Sequence, residues 1–85
     1  MFIQDPARVA ASATRILRDV FKLTPAETRL AVALYRGATL KSHAADNGIS
    51  VHTARSHLAR AMRKTNTSRQ ADLVRLINTI DLPAG

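Results

Sequence analysis

Apolar side chains recur along this chain at the spacing of helix faces, and turn residues interrupt them between faces. The clearest stretch runs from Thr39 to Thr65. Thr39 is a good N-cap, because its hydroxyl can take up an orphan N–H of the first helical turn. Leu40, Ala44 and Ala45 follow at helical spacing, and Asn47-Gly48 stops the helix. Gly48 suits a C′ position, which needs φ > 0. Ile49 puts an apolar side chain into the corner, and Ser50 caps the next helix. Val51, Ala54, Leu58, Ala61 and Met62 then share one face.

The flanking segments read the same way. Thr24, Pro25 and Glu27 open a helix as cap, N1 proline and N3 partner of a capping box. Leu30, Ala31 and Leu34 supply its inner face, and Gly37 ends it. Before it, Asp5-Pro6 starts a helix striped by Val9, Ala13, Ile16, Leu17, Val20 and Phe21, with Arg8, Arg15 and Arg18 mostly outside the stripe. That segment is either a helix of the domain or a linker helix from something upstream. Asn66-Thr67-Ser68 is a short turn. A last helix starts at Ser68 or Arg69 and runs through Ile80, with Leu73, Leu76, Ile77 and Ile80 on one side and Val74 about 100° away. No strand pattern is present. The expectation is an all-α fold: an N-terminal linker or extra helix over 1–22, then a four-helix domain over 23–82.

The chain has 85 residues, enough for one small domain, and a formal net charge of +7, which points to a polyanionic partner. No acidic residue occurs from Asn47 to Ala71, so Arg55, Arg60, Arg63, Lys64 and Arg69 are unopposed in sequence. No cysteine is present, which excludes disulfides and thiolate metal sites. His52 and His57 lie about 140° apart on a helix, which does not suit zinc. Nothing approaches the roughly 18 apolar residues of a membrane span, and the N-terminal stretch, without a basic start and an apolar run, does not read as a signal peptide, so the expected compartment is the cytoplasm. The aromatics Phe2, Phe21 and Tyr35 are too few for a base-stacking platform. No phosphate-binding glycine loop or nucleophile–base spacing is present, and the six carboxylates are scattered. The reading is a binding module, not an enzyme, with no cofactor.

Two short helices joined by a glycine-containing turn make a helix-turn-helix, whose basic second helix suits the major groove of DNA. The signals come in a recognisable order: Leu23-Thr24-Pro25-Ala26-Glu27, Gly37, Gly48-Ile49-Ser50 at the corner, Thr53 and His57, Lys64, then Ser68 through Ile77. In this order the chain resembles the LuxR/NarL-type (GerE-like) DNA-binding domain of bacterial transcription regulators, over roughly Leu23 to Ile80. The resemblance implies four helices, the third in the major groove of duplex DNA. It implies a homodimer through the last helix, at Val74, Ile77 and Asn78. RNA polymerase is a further candidate partner. Such domains usually follow a receiver or ligand-binding module, as in response regulators.

Candidate DNA contacts follow. By resemblance, Arg55 and Ser56 reach base edges, where Arg is the commonest specific reader. Arg60, Arg63 and Lys64 lie further along the recognition helix, about 51–64. Ser50, His52 and Thr53 lie at its start. Lys41 and Ser42, in the first turn of the preceding helix, are placed to hold phosphate. His57 is either a phosphate contact or a packed histidine. Glu27 closes its capping box and is also suited to an ion pair with a basic residue of the helix-turn-helix. The chain departs from the family pattern where large apolar residues are usual: Ala31, His43, Asn47, Ala54, Ala61 and Thr65. Asn66 stands for a usual glycine, and Ala59 for a longer polar side chain. A slim core is therefore expected. Two rival readings remain: a sigma-factor promoter-recognition domain, and a degenerate helix-turn-helix used for protein docking.

Overall fold

In the computed structural model α1 (Pro6–Asp19), α2 (Pro25–Tyr35), α3 (Leu40–Asp46), α4 (Val51–Thr65) and α5 (Gln70–Asp81) follow one another. The structure describes the backbone of residues 6–81 and the side chains of residues 13–80. Everything described is helix or turn, so the all-α expectation holds. Arg8 and Val9 of the expected α1 pattern have side chains outside the described set, as Asp5 is outside it altogether.

Each helix start and stop is a local chemical event. Thr24 accepts from the Glu27 N–H at 3.2 Å, and Glu27 returns a bond to the Thr24 N–H at 3.0 Å, which completes the capping box of α2. Thr39 and Ser42 make the same reciprocal pair at the start of α3, each bond 3.0 Å. Ser50 accepts from the Thr53 N–H at 3.0 Å and starts α4. At the end of α3, Gly48 takes φ 64°. Its N–H then reaches the carbonyl of Ala45, and the N–H of Ile49 reaches that of Ala44, closing the orphan carbonyls in a Schellman motif. Asn66 ends α4 at φ 57°, a left-handed conformation that asparagine tolerates better than most residues, which is how it fills a position suited to glycine.

α2 is the hub. It packs against each of the other helices, whereas α3 touches only α2 and α4. Leu30 and Ala31 of α2 have no exposed surface, and neither do Leu17, Leu73 and Ile77 around them. Ala13 and Leu17 of α1 are buried in that core. α1 is a fifth helix packed on α2 and α5. Its stripe ends earlier than the sequence pattern implies. Val20 is 65% exposed, because α1 stops at Asp19 and Lys22 turns the chain away at φ 63°. Ala45, expected on the inner side of α3, is also exposed.

The slim core is real at most of the expected positions. Ala31, Ala54 and Ala61 are fully enclosed, and His43 and Thr65 are buried. Leu40 and Met62 pack against this core from its edge. Asn47 is the exception: it is exposed and forms the C-cap of α3. Its amide donates to the His43 carbonyl at 2.8 Å and approaches His43 Nδ1 at 3.2 Å. Replacing it with an apolar residue gains no burial and loses those bonds. Asn47→Leu is therefore expected to lower stability by about 1 kcal/mol, a fall of roughly 4–8 °C in Tm by thermal melt.

Candidate nucleic-acid interface

α4 divides cleanly into two faces. Ala54, Leu58, Ala61 and Thr65 recur every three or four residues and are buried. Thr65 satisfies its hydroxyl by donating to the Ala61 carbonyl at 2.8 Å. At about 100° per residue, the opposite side is centred near His52, Ser56, Ala59 and Arg63, with Arg55 and Arg60 on its two flanks. His52, Arg55, Ala59, Arg60 and Arg63 are exposed, and Ser56 is half-buried. Any rod-like partner lying along α4 therefore meets a guanidinium group on each flank and that of Arg63 on the centre line.

Four expected contacts take more definite roles. Lys64 is tied into the fold: its Nζ lies 2.7 Å from Glu27 Oε1 and donates to the Lys22 carbonyl at 3.2 Å. The Glu27 side chain is 3% exposed and that of Lys64 is 33% exposed, so a buried carboxylate meets a partly exposed ammonium. Lys64 is thus held by Glu27 rather than offered to a phosphate. Ser42 also has its hydroxyl proton engaged, donating to the Thr39 carbonyl at 3.1 Å, which leaves Lys41 as the exposed cation of that turn. Thr53 accepts a bond from the Ser50 hydroxyl at 3.0 Å and keeps its own proton for an outside acceptor. Ser50 itself is exposed but acts as cap.

His57 is half-buried on the flank of α4. His43 is 5% exposed, and burial holds it below the ordinary histidine value, with its neighbours His57 and Arg29 acting in the same direction and Asp46 opposing. In sequence His43 is only a polar residue at an apolar position; its link with Asn47 is made in the fold. On α5, Ile77 is fully enclosed by the domain's own core, which corrects its expected place in a dimer interface. Val74 is partly buried against the same core, and Asn78 is exposed. Leu73 joins Ile77 in the interior, while Leu76 and Ile80 stay half-buried.

Glu27 links acid sensitivity to this arrangement. Burial pushes its carboxyl upward, but the Lys64 ammonium and the Thr24 N–H outweigh burial and hold it below its ordinary value of 4.5. A carboxylate with a depressed folded pKa stabilises the fold above about pH 4.5, and that stabilisation is lost as pH falls through the folded value. Lys64→Met leaves the buried carboxylate without its cation. It should cost about 2 kcal/mol or more near neutral pH, measured by urea unfolding. Adding Glu27→Gln in the same chain should recover part of the loss and flatten the decline in stability below pH 4.5.

In comparisons with known proteins, no family model, no curated protein and no solved structure matches this chain.

Proposed function

We propose that the domain binds duplex DNA as a bacterial transcription regulator, with α3 and α4 acting as a helix-turn-helix of the LuxR/NarL type and α4 lying in the major groove. The observation that carries this reading is the polarity of α4. Its inner face is buried alanine and leucine, and its outer face presents exposed Arg55, Arg60 and Arg63. No acidic residue lies between Asn47 and Ala71 to oppose them. A solvated helix face usually mixes both signs, whereas a phosphate-facing one does not. The alanines at 54 and 61 seat α4 against the core, and its opposite side is left to solvent.

In this reading the N-terminal half of α4 enters the groove, as recognition helices do. Arg55 reads base edges. Lys41, Thr53, Arg60 and Arg63 hold phosphates on either side. Ala59, short and central, leaves space that a longer side chain would fill with a further base contact. Pairing of two copies would use Val74 and Asn78 on α5, without Ile77.

Fluorescence anisotropy on two DNAs tests the orientation: an operator obtained by selection from random sequence, and unselected duplex. Arg55→Ala should cost about 1–3 kcal/mol on the operator and much less on unselected duplex. Arg63→Ala should weaken both alike and reduce the salt slope by about one. Arg15 is exposed on α1, and Arg15→Ala should change little. Equal losses for Arg55→Ala and Arg15→Ala would remove α4 as the reading head.

A further inference from the structure

A second basic site lies away from α4. A cleft of about 380 Å³ opens between the end of α1, the outer side of α2 and the end of α3. Arg18, Arg29 and Arg36 line it, together with Val32, His43 and Asp46, and no α4 residue takes part. Arg29 and Arg36 are two turns apart on one side of α2, with Val32 between them. Arg18 faces them from α1. Among the described residues neither Arg18 nor Arg29 has an acidic partner, while Arg36 is already engaged within the domain. Asp46 is the single carboxylate in the lining, so cations outnumber it.

We infer that this cleft binds a small organic anion, an apolar body carrying a phosphate or carboxylate head. The volume falls in the lower range of small-ligand sites, roughly 300–1,000 Å³, and is too small for a folded partner segment. The planar fork of arginine matches an oxyanion through two parallel bonds, and Arg18 and Arg29 have forks to offer. Val32, with the Pro25 and Ala33 side chains beside it, supplies an apolar wall for the body of the ligand. His43 adds a buried polar group. Its Nδ1 faces the Asn47 amide, so the neutral ring carries its proton on Nε2 as a donor. His43 and Asn47 also form the C-cap of α3, so an occupant would touch the corner from which α4 departs.

This site is independent of DNA binding by α4, and the test separates them. Phenyl phosphate is titrated into 15N-labelled protein and amide shifts are followed, with inorganic phosphate and benzyl alcohol as parallel titrants. Saturable shifts are expected at Thr28–Arg36 and His43–Asn47, with phenyl phosphate binding more tightly than either parallel titrant. Arg18→Gln with Arg29→Gln should weaken binding about 10-fold, as loss of charge-assisted bonds implies, while keeping a dispersed spectrum. Arg55→Gln with Arg63→Gln should leave it unchanged. The inference fails if shifts are absent, if they fall on α4 and vanish with the Arg55 and Arg63 changes, if the Arg18 and Arg29 changes have no effect, or if inorganic phosphate binds as well as phenyl phosphate.

Discussion

One buried carboxylate holds this domain together. Glu27 caps the start of α2 through the Thr24 N–H and, with the same oxygen, takes the Lys64 ammonium from the last turn of α4. Lys64 in turn reaches the carbonyl of Lys22, whose left-handed backbone makes the bend between α1 and α2. The bend before α2, the start of α2 and the last turn of α4 thus meet at one charge pair. A carboxylate 3% exposed is costly unless it is both paired and hydrogen-bonded, and here it is both. The pair fixes where α4 ends relative to the hub helix, and with it the direction in which the α4 cations point.

The rest of the packing follows from small side chains. Ala31 on α2 and Ala54 and Ala61 on α4 are fully enclosed, and alanines at such positions let two helix backbones approach closely. Large residues are concentrated elsewhere, with Leu17, Leu30, Leu73 and Ile77 filling the space between α1, α2 and α5. α3 is short and rests on α2 and α4 alone, so its caps matter more than its burial. Thr39 and Ser42 close one end. Asn47, Gly48 and Ile49 close the other, and Ser50 starts α4 at once. This division leaves one side of α4 exposed to solvent.

Much of this was legible in the sequence because capping chemistry is local. The Thr24–Glu27 box, the Thr39 and Ser50 caps and the turn at Gly48 each depend on residues a few positions apart, and each stands where the pattern put it. Pairing of Glu27 with a basic residue was foreseen as a type of contact; that Lys64 makes it needed the third dimension. The same limit explains the misplacements. Val20 fits a helix stripe but lies past the end of α1, and Ile77, on the apolar stripe of α5, is enclosed by the core and so is not open to the dimer role the resemblance implies. Asn47 falls at an apolar position in the family pattern, yet its amide chemistry favours the cap. The cleft beside Arg18 and Arg29 joins residues from separate helices, and no local pattern announces it.

In the proposed function the exposed cations of α4 meet a polyanion. The direct measurement is affinity for unselected duplex DNA over a range of monovalent salt. The account predicts that log affinity falls linearly with log salt, at about 0.9 per phosphate neutralised, with a slope set by the exposed arginines and Lys41 and not by Lys64. A flat salt response, or no binding at low salt, would contradict it and leave α4 as a surface for protein docking.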